Sequence, residues 1–334
     1  MNFKKLPKIE LHCHLDGSVR PETIIELAKI EGIELPSYDI ETITNIMTAP
    51  MECTSLNEYL EKFEIPVAIM QSKENLKRIT YELMEDSAKE NIKYIEIRFA
   101  SLLHTNKGLS SEEIIQSVLE GIKEGEKNYD IKGNLILSFL RHMPAETIYE
   151  VIEAGKKYLG DGVVAIDLCA SEDKGFCEKF IQPFLLGKEY GYKVTIHAGE
   201  TGIGENVLDA VQMLGAERIG HGIHIKNCKE AYDIVKEKNI VLEMCPTSNV
   251  QTKAVDSFEV HPILDFHKDG IKVTINTDNR TVSNTTLTKE CHVIKDNFNI
   301  DLDIYKNIYF NSVNAAFIDC QTKENLKNLL TELD

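Results

Sequence analysis

The sequence predicts a (β/α)8 TIM barrel, and three observations predict it. Eight short β-rich segments alternate with helical ones along the 334 residues. Most of them are near-continuous apolar runs rich in Ile, Val and Leu, which suits strands buried on both faces. Histidines and carboxylates fall at the ends of several, the face on which barrel enzymes build their sites. Repeated strand–helix units with short connections imply parallel pairing and right-handed crossovers. A doubly wound open sheet competes, but it would gather its site at one crevice rather than at strand ends all along the chain.

The strands are expected at residues 9–15, 94–100, 135–142, 163–170, 193–198, 218–225, 240–244 and 272–276. Pro21-Glu22-Thr23 opens the first helix and Gly32 stops it. A long insertion follows the first strand, with helical segments at 40–47 and 56–63. There Leu56, Tyr59, Leu60 and Phe63 recur at helical spacing as an apolar stripe. Such a stripe reads as ordinary core packing, or as a lid, because long excursions at strand ends often cover sites. Ser110 with Glu113 forms a capping box for a helix running to about residue 129. Further helices are expected at 176–190, 207–214, 229–238 and 262–268. After the last strand come three more, at 285–297, 303–317 and 322–333, the first completing the barrel and the others bracing it. The chain thus reads as one domain, residues 1–334, with a helical insertion and extra C-terminal helices.

Composition narrows the function. A hydrophobic content of 43% is ample for a core, and the formal net charge of −17 opposes binding to nucleic acid backbones. The same charge disfavours a phosphorylated substrate and suits a neutral small molecule. No apolar run follows Met1 as in a signal peptide, and no stretch approaches a membrane span. Eight cysteines stand singly with no Cys-x-x-Cys pair, which reads as free thiols in a reducing cytoplasm.

The chemistry-bearing residues come next. Side chains two apart on a strand share a face, so His12 and His14 would both look towards the barrel axis, with Leu11 and Cys13 towards the helices. Taken alone, such a pair is equally a structural one. His197 at the end of the fifth strand adds a third imidazole, and Asp278 just past the eighth adds an oxygen. Imidazoles with one carboxylate suit Zn²⁺, with Fe²⁺ or Co²⁺ as alternatives. With four protein ligands, a water must be a fifth for the site to work, and the ion would lower its pKa towards about 7. Glu200 lies three past His197, and Gly199 lets the backbone turn to bring its carboxyl back as a proton carrier. The plain alternative is a helix-start carboxylate. His221, between Gly220 and Gly222, would approach from the sixth strand. Glu243, near the end of the seventh, is placed to orient a ligand histidine from behind. His104, His142, His224, His261, His267 and His292 match no ligand pattern, and His224 would face away from His221 on a strand. Arg141 and His142, ending the third strand, read as buried support beside the pocket.

These segments resemble the adenosine deaminase family of amidohydrolase barrels, over about Leu6 to Asn314. The markers are Glu10-Leu11-His12-Cys13-His14-Leu15-Asp16-Gly17, His197-Ala198-Gly199-Glu200, Gly220-His221-Gly222, Cys245-Pro246-Thr247-Ser248-Asn249 and Asn276-Thr277-Asp278. The resemblance implies one zinc ion held by His12, His14, His197 and Asp278. It implies that Glu200 protonates N1 of adenosine, and that His221 orients the water attacking C6. Ammonia would leave and inosine form, a step of purine salvage. His14 would also touch the substrate, and Asp16 would hold the ribose 5′-hydroxyl; a turn residue before Gly17 is the plain alternative for Asp16.

Three positions depart from the family pattern. Asn279 stands where many relatives carry a second aspartate that contacts purine N7; an amide donates there without titrating. Ala170 stands where relatives have a glycine whose N–H meets purine N3; the N–H survives, and the methyl would narrow the pocket. Ala100 replaces a common serine. The expected activity is zinc-dependent hydrolytic deamination of adenosine, and of 2′-deoxyadenosine. An adenine deaminase acting on the free base is the nearest rival, and Asp16 and Asn279 favour the nucleoside. A carbamylated lysine after the fourth strand and the His-x-Glu with Pro-Cys-x-x-Cys pattern of cytidine deaminases are both missing. A non-catalytic purine-binding protein on this scaffold would tend to lose its proton carrier first, and here Glu200 and His221 are both present.

Overall fold

The computed structural model describes residues 1–331. Eight strands pair in chain order, each parallel to the next. They are β1 Lys8–His14, β2 Ile92–Phe99, β3 Lys132–Leu140, β4 Val163–Cys169, β5 Lys193–Ala198, β6 Arg218–His221, β7 Val241–Met244 and β8 Val273–Ile275. The two ends of the sheet meet just beyond β8. Cys13 and Asp278 form a parallel bridge, His14 N–H donates to the Asp278 carbonyl at 2.7 Å, and Asp278 N–H donates to the His12 carbonyl at 2.9 Å. The expected barrel is therefore present.

Most elements lie within a few residues of expectation. The Ser110–Glu113 capping box opens the helix Ser111–Asn128, and Gly32 ends Pro21–Glu31 at φ +67°. Three differences matter. β6 stops at His221, four residues short of expectation, because His221 (φ +63°) and Gly222 (φ +67°) both take the left-handed conformation that breaks a strand. His224 consequently sits in a turn and not on a strand. Two long helices fall outside the expected set, Lys73–Lys89 before β2 and Thr147–Lys156 between β3 and β4, as do two short ones, Glu64–Ile69 and Pro246–Gln251. The first is capped by Ser72 and carries a narrow stripe of Leu76, Ile79, Leu83 and Met84 among charged residues. Of the C-terminal helices, Leu287–Phe298, Leu302–Ala315 and Cys320–Thr331, it is the second that lies across β8 and β1; Tyr305 in it donates to the Pro7 carbonyl at 2.8 Å. The expected end of the last helix, beyond residue 331, lies outside the described residues.

The outward strand faces pack on the helices in one apolar core. The barrel interior is different. Glu96, Arg98, Asp167, Arg218 and Glu243 are at most 1% exposed and pair with one another across it, instead of the branched aliphatic layers common in such barrels. In the insertion, Tyr59 joins Ala49, Cys53 and Val282 in a small separate core, flanked by Leu56 and Phe63. Among the described residues no helix is long and apolar enough to cross a membrane.

Candidate active site

The site begins with an irregularity in β1. Glu10 faces Ile95 and Cys13 faces Ile97, so β1 carries one residue more than β2 over this step. Such bulges re-aim side chains. Side chains serve the backbone here: Leu11 N–H donates to Asn276 Oδ1 at 3.1 Å and His12 N–H to Glu10 Oε1 at 3.1 Å. Glu10 Oε2 accepts from the N–H and hydroxyl of Thr277, at 3.1 and 2.8 Å. The clasp joins β1 to the segment after β8 and sets His12, His14 and Asp278 side by side.

Four donor atoms from β1, β5 and the end of β8 converge. Nε2 of His14 and of His197 are 3.2 Å apart. Asp278 Oδ1 lies 3.4 Å from Nε2 of His12 and 3.4 Å from Nε2 of His14. Donors each about 2.0–2.1 Å from a tetrahedral ion stand about 3.3–3.4 Å apart, so the spacing fits a single cation. Gly220 permits the crowding, since a Cβ there would meet His12 Cε1 at 2.9 Å. The partners behind these groups leave the right atoms free. His12 Nδ1 faces Glu243 Oε2 at 2.8 Å and His197 Nδ1 faces Asp167 Oδ1 at 2.9 Å, which turns each Nε2 lone pair inward. His12 Nε2 is buried without a hydrogen-bond partner, a cost of roughly 1–3 kcal/mol that a cation would remove. Burial pushes the His14 imidazole well below its ordinary value, which favours the neutral form that ligates. Burial pushes the Asp278 carboxyl up, but the close approach of His12, with His221 and His14 around it, outweighs burial and holds the group well below the carboxylate range.

His221 and Glu200 stand beside this cluster, with His221 Nε2 3.7 Å from Glu200 Oε2. The protonation of His221 follows from its other nitrogen. Cys245 N–H can only donate, and it meets one end of the Asn249 amide at 3.2 Å; that end is Oδ1, which His261 Nε2 also approaches at 3.1 Å. Asn249 Nδ2 therefore donates to His221 Nδ1 at 2.9 Å. A neutral His221 then carries its proton on Nε2, facing the site. Glu200 is 7% exposed. Its chain turns at Gly199 (φ +69°), where a Cβ would lie 2.8 Å from Val207 Cγ2.

A cavity of about 200 Å³ opens alongside, lined by His14, Asp16, Ala170, Glu200, His221, Asp278 and Asn279 among others. Asp16 Oδ1 and Asn279 Oδ1 are buried there without partners. Burial pushes the Asp16 carboxyl up to about 7. Asn279 packs on Gly17 so closely that a Cβ on Gly17 would lie 1.8 Å from its Oδ1. Leu56, Tyr59, Leu60 and Phe63 all line the same cavity, Tyr59 buried and anchored by its hydroxyl to Ser283 Oγ at 2.6 Å. Arg141 and His142 separate: buried Arg141 donates to the carbonyls of Leu168, Ala170 and His197, whereas His142 is exposed and lines the cavity. A larger hollow, about 910 Å³, opens at the opposite end of the barrel among Lys193, Arg218, Lys272 and Phe317, and none of the donor atoms described above reaches it.

The profile of the adenosine deaminase family matches residues 7–333. The chain belongs to the adenosine deaminase family. An adenosine deaminase of Clostridium botulinum (strain Okra / Type B1) is 60% identical over 333 residues, covering 100% of this chain and 99% of that protein. An adenosine deaminase of Clostridium perfringens (strain 13 / Type A) is 56% identical over 327 residues, 98% of each chain. Among solved structures, an adenine deaminase from Arthrobacter aurescens superposes with a TM-score of 0.92 at 26% identity, covering 98% of this chain and 99% of that one. The N6-methyl-AMP deaminase of Arabidopsis thaliana gives 0.87 at 25% identity, covering 99% and 97%.

Within this adenosine deaminase family member, several contributors escape a reading of sequence alone. Asn249 lies in a motif that resembles the family, but only the fold shows that it holds His221. His261 matches no ligand pattern, and it braces Asn249. Glu172 carries no local signature, and Glu10 opens the first family marker without any sign there of its role; their carboxyls matter because of the backbone N–H groups they meet.

Proposed function

We propose that the protein is a zinc-dependent adenosine deaminase that converts adenosine, and 2′-deoxyadenosine, with water to inosine, or deoxyinosine, and ammonia. The chain acts as one domain. The observation that carries the reading is the meeting of four ligand-type atoms with Glu200 and His221 on the wall of one cavity. Three imidazoles and a carboxylate are a donor set for Zn²⁺, held by His12, His14, His197 and Asp278. When bound, such an ion acidifies water towards a pKa of about 7, so that a nucleophile exists at neutral pH.

The chain's own groups do the rest. Glu200 delivers a proton to purine N1 and so draws electrons from C6, where the C–O bond forms and the C–N bond breaks. His221, with its proton on Nε2, donates to the attacking oxygen and holds it on line. Asp16, with an unpartnered oxygen, accepts from a ribose hydroxyl. Asn279 offers its amide N–H to N7, and Ala170 its backbone N–H to N3. Leu56, Tyr59, Leu60 and Phe63 cover the cavity and keep bulk water out. Eight unpaired cysteines, seven of them buried, support a reducing compartment, the cytoplasm.

The free-base reading has one observation in its favour, the close superposition on an adenine deaminase. Initial rates on adenosine, 2′-deoxyadenosine, adenine and AMP, followed by ultraviolet absorbance alongside metal content, decide between them. The nucleosides turn over fastest; preferential turnover of adenine would replace this reading, and bound zinc with no purine turnover would favour a non-catalytic scaffold. Glu200→Gln keeps zinc and loses about 10²- to 10⁴-fold in kcat. Loss of the metal in that variant would make Glu200 a ligand instead.

A further inference from the structure

Glu172 has no part in the chemistry above, yet its carboxylate is one of the most heavily hydrogen-bonded groups near the site. It follows β4 by three residues and is 7% exposed. Oε1 accepts from Glu200 N–H at 2.6 Å and Thr201 N–H at 2.7 Å; Oε2 accepts from Gly199 N–H at 3.0 Å and Asn206 Nδ2 at 3.0 Å. Its own carbonyl accepts from Thr201 Oγ1 at 3.3 Å. Consecutive N–H groups in a turn make a concave nest for an anion. The turn after β5, with Gly199 at φ +69° and Gly202 at φ +96°, is such a nest, and the anion in it is Glu172. Asn206 is itself fixed, since its Oδ1 accepts from Gly175 N–H at 3.2 Å.

We propose that Glu172 is a positioning residue for Glu200, stapling the β4 loop to the β5 loop so that the Glu200 side chain is held at the reacting ring. The inference rests on the reading of Glu200 as proton carrier. The three N–H groups held by Glu172 flank and include that of Glu200, and no metal ligand bonds to Glu172. Its removal therefore acts on proton delivery and leaves ion and substrate binding in place. A misplacement of about 1 Å in a reacting group costs on the order of 10²-fold in rate.

The test compares wild-type enzyme, Glu172→Gln, Glu200→Gln and the double variant for kcat, KM, zinc content and thermal midpoint. Glu172→Gln, which puts an amide NH2 against two of the four N–H donors that the carboxylate serves, is expected to lower kcat about 10- to 100-fold with KM within about threefold and zinc retained. In the Glu200→Gln background the same change is expected to cost no more than about threefold, because two groups acting as one unit are non-additive. Normal kcat in Glu172→Gln, loss of its zinc, or a multiplicative loss in the double variant each overturns the proposal. If Glu172→Gln does not fold, Asn206→Ala serves instead, expected to lower kcat about 3- to 10-fold at unchanged KM; an unchanged kcat overturns the proposal there too. A wild-type enzyme inert towards adenosine would overturn the functional reading first and this inference with it, whereas an active wild type with normal variants would overturn this inference alone.

Discussion

Three residues at strand ends hold a backbone conformation that costs a side chain roughly 1–3 kcal/mol: Ala170 (φ +74°), His221 (φ +63°) and Asp278 (φ +59°). All three line the cavity. The strain turns the chain sharply at the mouth of the barrel and brings Ala170, His221 and Asp278 to the wall of one cavity. At His221 the conformation matters only if the right nitrogen bears the proton, and that is decided by Asn249. Asn249→Asp reverses the polarity of that contact: a carboxylate oxygen accepts, so His221 Nδ1 must donate and Nε2 becomes a bare lone pair. We expect kcat to fall by about 10²-fold or more with zinc retained, by analogy with the wrong-tautomer effect of altering a triad orienter. Steady-state kinetics with metal analysis checks it, and wild-type turnover in Asn249→Asp would remove the tautomer from the argument. Residues of this kind mark the limit of what sequence conveys. His12, His14, His197, Glu200 and Asp278 are legible because their types are scarce inside strands and their positions repeat strand by strand. Asn249 and Glu172 are ordinary polar residues until the chain folds and shows which atoms they face.

Among the elements, the strands were the easiest to read, since short runs rich in β-branched residues recur in regular alternation with helical segments. Helices with few apolar residues, such as Lys73–Lys89, and strands cut short by a left-handed turn, such as β6, were not. The insertion between β1 and β2 posed the sharper question, whether its apolar stripe is core or cover. The structure divides the stripe: Tyr59 belongs to a small core, while Leu56, Leu60 and Phe63 are part-exposed and border the cavity. The stripe sits on a short helix, Leu56–Leu60, with one turn of 3-10 helix after it, tied to its surroundings by the Tyr59 hydroxyl on Ser283 and by Asn57 Oδ1, which accepts from Ser171 Oγ at 2.6 Å. Phe63→Ala should accordingly raise KM for adenosine several-fold while lowering the thermal midpoint by only a few degrees, because the ring is not in the main core. A large loss of stability with normal KM would return Phe63 to a packing role.

Taken whole, the molecule holds its site on a charged pillar. Glu243 accepts from His12, Thr195, Arg98 and Arg218, at 2.8, 3.0, 2.8 and 2.6 Å. Asp167 takes His197 and Ser138 at 2.9 Å each, with Arg98 3.6 Å away, and Arg218 also pairs with Glu96. Two of the proposed zinc ligands are thus backed by carboxylates that two buried arginines neutralise. An apolar filling would serve stability as well or better, so the pillar is best understood as what orients His12 and His197. Burial pushes the carboxyls of Glu243 and Asp167 up, but for Glu243 the two arginines and His12 prevail, and for Asp167 His197 and Arg98 do, so both are held well below the ordinary range. Groups with depressed values in the fold contribute stability that is present above their unfolded values, about pH 4 to 4.5, and lost as pH falls below them. Arg98→Met leaves Glu243 and Asp167 short of a buried cation and should destabilise the metal-free protein by about 3–5 kcal/mol at pH 7. Because both carboxyls then titrate nearer their unfolded values, the variant should also lose less stability than the wild type between about pH 5 and pH 3. Urea unfolding of both proteins in chelator, at several pH values across that interval, reads the two effects separately. A variant as stable as the wild type at pH 7, with an identical acid slope, would mean that the pillar does not depend on Arg98 and that the histidines are held by packing alone.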